Sequence, residues 1–287
     1  MDVSRIAVII NEDSRNDSFG HFLVENMRKY VDVYDSKKIY SMKSLRRVRE
    51  TINRYEKIVV FEENRLIPVL FFCKRCECQL TLWEWNIVEK HQAKKVNLLK
   101  PFCQIWTFDE GNARTYGWKW NTQFYFQPES VVGGNKSTAF CSITDKGRYQ
   151  ELYDLKRKLE ALDILCDFHV LRRDAIDSGN LPEMVTDTEI PYYRYLEHLD
   201  NCNIVVDLLQ PKQEGITVRT LEAVFYAKKL ITNNRKIMET PIYQRENIFI
   251  LGQDNDDELA QFVKCEEPSW PKGIIDYYKF DQWISRF

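Results

Sequence analysis

Residues 203–232, NIVVDLLQPKQEGITVRTLEAVFYAKKLIT, carry the pattern that decides the fold. Asn203–Leu209 is a short, continuous apolar run typical of a buried strand, and Thr217–Lys229 has the pattern of a helix. KLIT, residues 229–232, is a second strand-like run. A strand, a helix and a further strand in this order predict two parallel strands joined by a helix.

Two glutamates, Glu214 and Glu222, lie in this stretch with seven residues between them. The turn before Thr217 leaves backbone N–H groups free at a helix start, which suits an anion. Gly215 permits close approach to the backbone, and Thr217 is suited to cap the helix. Glu222 falls about one and a half turns into the helix. Because carboxylates accept hydrogen bonds from paired hydroxyls, this spacing fits a phosphate flanked by two sugars.

An ordinary helix start accounts for the same residues. In that interpretation Glu214 interacts favourably with the helix dipole, while Glu222 is simply solvated on the outer face of the helix. The residues of the stretch, taken by themselves, favour this simpler interpretation, so the choice between a turn and a binding site rests on the rest of the chain.

The alternation of strands and helices continues along the whole chain and breaks once, at the polar segment QPESVVGGNKST. We predict an α/β fold of two Rossmann-like domains facing each other across a cleft, with parallel sheets and helices on both faces. Ligands of such sheets bind outside the carboxyl ends of the strands. The predicted boundaries are an N-terminal domain at 1–126, a linker at 127–138, a C-terminal domain at 139–275 and a terminal helix at 276–287 that packs back toward the first domain.

Composition narrows the class of protein. The 287 residues are 44% hydrophobic, and no apolar run approaches the roughly 20 residues that span a bilayer. Residues 1–126 carry 21 basic and 16 acidic side chains, whereas the rest carry 20 and 27. The basic first half suits an anionic partner such as a membrane surface, or is an uneven solvated surface. We expect no nucleic-acid partner, because no basic-aromatic stripe is present.

Motifs and cysteines exclude several other classes. The chain has no P-loop, no GxGxxG, no GxSxG and no HExxH. Cys73, Cys76 and Cys78 form the one cysteine cluster, without the second ligand pair that a zinc site needs. No basic region precedes a long apolar stretch at the N-terminus, so no signal peptide is predicted. We expect reduced thiols and a cytoplasmic protein, at most peripheral on the inner face of the plasma membrane.

The segment EGITVRTLEAVFYAKKLITNN resembles the donor-binding segment of two-domain (GT-B) glycosyltransferases, in which a Glu-x7-Glu pattern opens a helix. More narrowly, the chain is similar to the bacterial glycosyltransferases of lipopolysaccharide and capsular polysaccharide biosynthesis. The resemblance runs from about residue 57 onward. Its blocks are LTLWEWNIV, IWTFDEGNARTYGWKWNTQFY, FCSITDKGR and IPYYRYLEHLDNCNIVVDLLQPKQEGITVRTLEA.

This resemblance implies roles for the two glutamates and for the loops beside them. Glu222 is implied to hold the nucleotide ribose, and Glu214 to face the donor sugar as a catalytic residue. The arginine that the family commonly has after the first strand of the second domain is replaced near Ile143, leaving Arg148 or Arg219 as substitutes. The implied donor-binding residues are Lys146, Arg148, Gly215, Ile216, Thr217, Arg219 and Glu222.

The resemblance also implies a reaction without a bound metal or other cofactor, since no DxD-like motif is present. Lys146 and Arg148 would neutralise the leaving nucleoside diphosphate. The partners are then a nucleotide-sugar donor and a glycan or lipid-linked glycan acceptor.

Candidate residues for the acceptor lie in the first domain. Gly20 and His21 open the first helix, and His21 is a candidate general base or merely a helix-start residue. Asp13 and Asp17, in the preceding loop, are weaker candidates. The remaining acceptor candidates are Trp85, Asn86 and Asp109. Structural roles in packing or in helix capping are the alternatives to acceptor binding at these positions. The basic helix at 44–54 suits an anionic membrane or is a solvated face.

We therefore expect a glycosyltransferase that is retaining and metal-independent, with a surface polysaccharide or lipid-linked precursor as acceptor. If the reaction inverts the anomeric centre, His21 becomes the expected base. Two alternatives remain open from the sequence. One is a nucleotide-sugar epimerase of the same architecture, and the other is a non-catalytic nucleotide-sugar-binding scaffold protein.

Overall fold

The computed structural model describes residues 5–12, 18–42, 44–73, 78–131, 135–172, 182–210, 213–264 and 268–287. Asp13, Asp17 and Cys76 lie outside these ranges. The chain divides into two compact units, of which the first comprises Met1–Phe124 with Tyr278–Phe287, and the second comprises Tyr125–Tyr277.

The first unit is built on a six-stranded parallel sheet in the order β2-β1-β3-β4-β5-β6. Val8 of β1 pairs with Val33 of β2 on one side and with Val59 of β3 on the other. The elements of this unit are β1 (Ile6–Ile10), α1 (Phe19–Met27), β2 (Asp32–Asp35), α2 (Ser36–Ser41), α3 (Leu45–Ile52), β3 (Lys57–Phe61), α4 (Leu66–Cys73), β4 (Gln79–Glu84), α5 (Lys90–Asn97), β5 (Gln104–Thr107), α6 (Glu110–Tyr116) and β6 (Lys119–Trp120).

The second unit repeats this plan with a sheet in the order β12-β11-β10-β7-β8-β9, in which every pairing is parallel. Its elements are β7 (Asn135–Thr144), α7 (Tyr149–Glu160), β8 (Leu165–Leu171), β9 (Val185–Thr186), α8 (Tyr192–Asn201), β10 (Cys202–Asp207), α9 (Val218–Phe225), β11 (Lys229–Thr232), a 3₁₀ helix (Arg235–Glu239), β12 (Ile248–Ile250), α10 (Asp256–Lys264) and α11 (Lys272–Tyr278). The stretch at 203–232 therefore forms β10, α9 and β11, as its pattern predicts.

Strands at the centre of each sheet, such as β1, β3 and β10, are largely apolar because both faces of the sheet are covered. Four of the five residues of β3, KIVVF, are buried, and all six residues of β10 are buried. Parallel sheets bury both faces in this way, which is why their strands are continuous apolar runs rather than alternating ones. Each unit has its own apolar core.

The last helix, α12 (Phe280–Ser285), belongs to the first unit. Its Trp283 is fully buried, and the indole Nε1 donates a hydrogen bond of 2.7 Å to the carbonyl of Thr122. The ring of Trp283 lies 4.2 Å from that of Phe124 and 5.1 Å from that of Trp83. The sequence suggests a strand within residues 121–126, but the structure places β6 earlier, because Thr122 and its neighbours bind this helix.

Each sheet reverses its strand order at one point. In the first unit the reversal lies beside β1, with β2 on one side and β3 on the other. In the second it lies between β7 and β10, since the chain runs outward from β7 to β9 and then returns to β10. Helices leave opposite faces of the sheet at such a reversal and open a crevice at the carboxyl ends of the strands, which is where ligands bind.

Candidate functional site

Most sequence-predicted donor residues meet at the carboxyl ends of β7 and β10, the reversal point of the second sheet. The loop after β7 carries Lys146 and Arg148, and the loop after β10 carries Gly215–Thr217. Side chains join the two loops directly. Lys146 Nζ donates to Gln210 Oε1 at 3.2 Å, and Arg148 donates to the carbonyl of Leu208.

The loop between β7 and α7 is held in an unusual backbone conformation. Lys146 and Gly147 are both left-handed, with φ of 43° and 82°. Glycine adopts that region without steric cost, whereas lysine does so at some cost. Asp145 fixes the loop through both of its carboxylate oxygens. One accepts a hydrogen bond of 3.0 Å from the backbone N–H of Tyr149, and the other accepts one of 2.6 Å from Arg172 Nε. The Lys146 side chain is left on the exposed side of this loop.

Two arginines place their guanidinium groups behind these loops. Arg148 donates to the carbonyls of Thr144 and Leu208, and Arg219 donates to the carbonyl of Ser142. Burial lowers the pKa of Arg148, and the positive charge of Arg219 lowers it further. The two cations therefore repel each other across the β7–β10 boundary, and the nearby carboxylates of Asp207 and Asp145 offset part of that repulsion. An anion bound there would relieve that repulsion.

Asp207, the last residue of β10, organises the start of α9. Thr217 is the N-cap, and its hydroxyl accepts the backbone N–H of Thr220 at 3.0 Å while donating to Asp207 at 2.5 Å. The Thr220 hydroxyl donates to the same carboxylate oxygen at 2.9 Å. Arg219 Nη1 lies 3.8 Å from the other oxygen. Asp207 is 1% exposed, and these contacts offset the free-energy cost of burying its charge.

Gly215 and Ile216 precede the cap and complete the loop that enters α9. Ile216 is buried, which anchors the loop to the unit. Asn234, after β11, donates from Nδ2 to the carbonyl of Gly215 at 3.5 Å. Glu214 lies at the entrance to this loop and is half-buried, and its predicted place beside a donor sugar stays a prediction.

Glu222 is buried in α9 and both of its carboxylate oxygens are bound. Tyr192 donates to Oε1 at 2.9 Å, and Tyr195 donates to Oε2. A third hydroxyl, that of Tyr125, lies 2.7 Å from the Tyr192 hydroxyl. Burial raises the pKa of Glu222 to about 7, against the opposing effect of the Arg219 charge. The interpretation of Glu222 as a solvated residue is wrong, and its role toward a ribose stays a prediction.

The acceptor candidates of the first unit occupy the carboxyl ends of its strands. Gly20 and His21 lie in the first turn of α1, where the His21 backbone N–H is capped by the Ser18 hydroxyl at 3.1 Å. Trp85 follows β4, and its ring packs 5.5 Å from Phe124 and 5.8 Å from Phe61. The indole is therefore part of an aromatic cluster, while its predicted contact with a sugar is untested.

Asn86 and Asp109 differ in how far their side chains are exposed to a ligand. Asn86 is exposed, and Glu62 accepts hydrogen bonds from its backbone N–H at 2.7 Å and from its amide at 2.9 Å. Asp109 is 1% exposed and caps α6, accepting the backbone N–H of Asn112 at 2.8 Å. This is the capping role that the sequence offers as its alternative.

Glu84, at the end of β4, is a chemically unusual group that sequence reasoning missed. It is 5% exposed, and its Oε1 has no hydrogen-bond partner among the described residues. Burial raises the pKa of Glu84 to about 8, and the negative charge of Glu62 adds to the effect. The carboxyl group therefore carries a proton at neutral pH, at the same sheet edge as Asn86.

The tyrosines around Glu222 and the carboxylate of Asp207 were also missed. The sequence holds a signal for two of the tyrosines, because Tyr192 and Tyr195 are three residues apart and so share one helix face. Asp207 ends an apolar run immediately before the loop, which is where parallel strands present ligand-binding groups. Arg172, directly after β8, likewise lies at the carboxyl end of a parallel strand, where ligand-binding groups are presented.

Sequence comparison finds no matching family model and no similar curated protein. Solved structures do resemble the chain. HepE from Anabaena, in complex with UDP, matches with a TM-score of 0.51 and 12% identity over 98% of this chain and 92% of HepE. HepE in complex with UDP-glucose matches at 0.49 and 10% identity over 90% and 88% of the two chains. The glycotransferase of kitacinnamycin matches at 0.41 and 9% identity over 91% and 90%.

The likeness to the HepE–UDP structure confirms the predicted fold class, two Rossmann-like α/β domains of the GT-B type, each with a six-stranded parallel sheet. At this level of identity the likeness concerns the fold, and function is argued from the site. Among the helices that the structure describes, none is both long and apolar enough to cross a bilayer.

Proposed function

We propose that this protein is a glycosyltransferase that moves a sugar from a nucleotide-sugar donor to a glycan or lipid-linked glycan acceptor. The observation that carries the proposal is the meeting of Lys146, Arg148 and Arg219 with the capped start of α9 at the β7–β10 reversal. HepE, which has the same fold, is bound to UDP in its crystal structure. A nucleoside diphosphate is the ligand that suits such a concentration of positive charge.

The diphosphate would lie between the two loops. Lys146 is exposed and held by one neutral partner, Gln210, so its ammonium group is available to a phosphate oxygen. The backbone of Gly215, Ile216 and Thr217 supplies N–H groups at the start of α9. Arg148 and Arg219 would act from behind the loops through their field rather than by direct contact, because both already bind backbone carbonyls.

The two glutamates would serve the two sugars of the donor. Glu222 would receive the ribose hydroxyls, with Tyr192 and Tyr195 already bound to its carboxylate. A ribose hydroxyl there would share or replace a tyrosine hydrogen bond, which makes the tyrosines part of the proposed site. Glu214, at the mouth of the loop, would face the transferred sugar.

The reaction that we propose is retaining and metal-independent. As the glycosidic bond to the diphosphate breaks, negative charge develops on the leaving phosphate, and Lys146 with the start of α9 would stabilise it. Gly20, His21, Trp85, Asn86 and Asp109 remain the proposed acceptor residues. If the product is inverted, His21 would take the proton of the attacking hydroxyl.

Peripheral contact with an anionic membrane fits one surface of the first unit. Leu45 of α3 and Phe72 of α4 are 64% and 69% exposed, and the two helices are joined where Arg49 donates to the carbonyl of Cys73. Arg46 and Arg47 lie on the same helix as Leu45. Exposed apolar side chains beside arginines are typical of surfaces that bind anionic lipid headgroups, and such contact would bring the enzyme to a lipid-linked acceptor.

A thermal-shift panel of UDP-, GDP-, CMP- and dTDP-sugars tests the proposal. A donor that binds the folded protein raises its melting temperature, and the stabilisation grows with the logarithm of the donor concentration relative to Kd. We expect stabilisation by UDP and by at least one UDP-sugar. If no nucleotide or nucleotide sugar stabilises the protein, the proposal is wrong.

Product analysis with the donor so identified separates the alternatives. Transfer that requires an added acceptor supports a glycosyltransferase. Conversion of the donor sugar without any acceptor indicates the epimerase, and binding without turnover indicates the scaffold protein. NMR of the product's anomeric centre then distinguishes retention from inversion.

A further inference from the structure

Three potential metal ligands come together in the second unit, away from the loops described above. Asp167 and His169 lie on β8, and His198 lies near the end of α8. Asp167 Oδ1 is 2.8 Å from His169 Nε2, and Asp167 Oδ2 is 2.5 Å from His198 Nδ1. One ligand atom from each residue lies within 4.8 Å of the other two.

The local fold accounts for the cluster. Asp167 and His169 are two apart on a strand and so point to the same face of the sheet, the face that α8 covers. Phe140 of β7 packs against the cluster, with its ring stacked 5.3 Å from that of His198. Asp167 pairs with Phe140 midway along β7 and β8, which places the cluster away from the carboxyl ends of the strands.

We propose that Asp167, His169 and His198 bind a divalent transition metal ion, and that Zn²⁺ is the ion they suit best. Two imidazoles and one carboxylate are ligands that zinc accepts in tetrahedral sites. Zinc bonds to nitrogen and oxygen of about 2.0–2.2 Å require the ligand atoms to stand roughly 3.3–3.5 Å apart. The side chains need only small movements to reach that spacing.

Metal binding would replace the hydrogen bonds between Asp167 and the two imidazoles with bonds from these side chains to the ion. Without a metal, each imidazole donates an N–H to Asp167 from the nitrogen that would bind the ion. On binding, that proton must leave, and the ring's other nitrogen carries a proton instead. The three side chains are each about one-third exposed, 30% for Asp167 and His169 and 33% for His198. Water can therefore reach the ion and complete its coordination.

The consequence of such a site is structural. His198 is three residues beyond Tyr195, which is three beyond Tyr192, so the three side chains follow one face of α8. An ion shared by β8 and α8 would fix this helix to the sheet, and with it the two tyrosines that bind Glu222. We therefore assign the ion the role of a clamp on α8 rather than a catalytic role.

Titration of the full-length, chelator-treated protein with Zn²⁺ and with Co²⁺ tests the proposal. We expect one ion per chain, an increase in melting temperature, and the visible absorption of tetrahedral cobalt. His169→Gln and His198→Gln should each weaken binding at least tenfold. His91→Gln is the matched control, because His91 also lies beside a carboxylate, 3.3 Å from Glu89, but without a third ligand among the described residues.

Two results would overturn the proposal. One is the absence of stoichiometric Zn²⁺ binding by the wild-type protein. The other is binding that His169→Gln and His198→Gln leave unchanged, which would assign the ion to other ligands such as the cysteines near residue 76. Circular dichroism of both variants verifies folding, and Asp167→Asn gives an independent third variant that should also lose the cobalt absorption.

Discussion

The hydroxyl of Tyr192 lies 2.9 Å from Glu222 Oε1 and connects this carboxylate to the hydroxyl of Tyr125, 2.7 Å further on. Glu222 is thus bound by a chain of tyrosines within the second unit, and it is half-protonated near neutral pH because burial raises its pKa to about 7. The residue with the clearest proposed role toward the donor therefore depends on α8, a helix that precedes it in the chain.

Tyr195→Phe should destabilise the protein and weaken UDP binding, because it removes a hydrogen bond from a buried carboxylate. Loss of such a donor costs about 1–3 kcal/mol. Chemical denaturation and calorimetric titration with UDP measure the two effects. Tyr193→Phe is the control on the same helix, since Tyr193 is 55% exposed, and it should change neither quantity. Equal effects of the two substitutions would contradict the proposed role of the tyrosines.

Lys146→Ala should weaken UDP binding about tenfold, equivalent to about 1.4 kcal/mol, with little change in stability. The side chain is exposed and has one weak neutral contact, so its removal leaves the fold intact. Lys158→Ala is the matched control, because Lys158 is an exposed lysine on α7 paired with Asp256 at 2.6 Å. If both variants bind UDP as the wild type does, the diphosphate does not lie against Lys146.

Glu222→Gln should reduce donor affinity while retaining most of the stability, because a glutamine side chain can still hydrogen-bond to both tyrosines. The amide fills the same volume but offers one acceptor oxygen in place of two. Calorimetric titration with UDP and with free uracil separates the contribution of the ribose diphosphate from that of the base. A Glu222→Gln variant with wild-type affinity for UDP would remove Glu222 from the donor site.

Glu84→Gln should change how stability depends on pH. The pKa of Glu84 is raised to about 8 in the folded protein, above the ordinary glutamate value of about 4.3 in the unfolded chain. The folded state therefore binds more protons than the unfolded state between these values, and the stability of the wild type falls as pH rises from about 5 to 8. Urea unfolding at several pH values should show this loss reduced by roughly 2–4 kcal/mol in the variant. An unchanged slope would show that the Glu84 pKa is ordinary.

The sequence predicts the parts of this protein that depend on local pattern. Apolar runs such as KIVVF identify the buried parallel strands, and the βαβ stretch at 203–232 folds as its pattern indicates. Gly215 was predicted from its place at a helix start, and Lys146 was implied by the resemblance to GT-B glycosyltransferases; the structure places both in loops that follow parallel strands, where such sheets bind ligands.

The remaining features depend on contacts between residues far apart in the chain. The local sequence around Glu222 is that of a solvated helix residue. In the structure Glu222 is covered by Tyr192 and Tyr195 of α8, which lie about 30 residues earlier in the chain. Asp167 and His198 are likewise 31 residues apart in the chain. Glu84 resembles any strand-end glutamate in the sequence, and its raised pKa arises only from burial and from the position of Glu62.

The central claim is that a nucleoside diphosphate binds at the β7–β10 edge of the second unit, and hydrogen–deuterium exchange with and without saturating UDP tests it most directly. We predict that UDP slows exchange in peptides covering residues 144–149 and 213–222, with Lys146→Ala reducing the protection at a fixed UDP concentration. Protection confined to the first unit, or none in either peptide while UDP is bound, would contradict the claim.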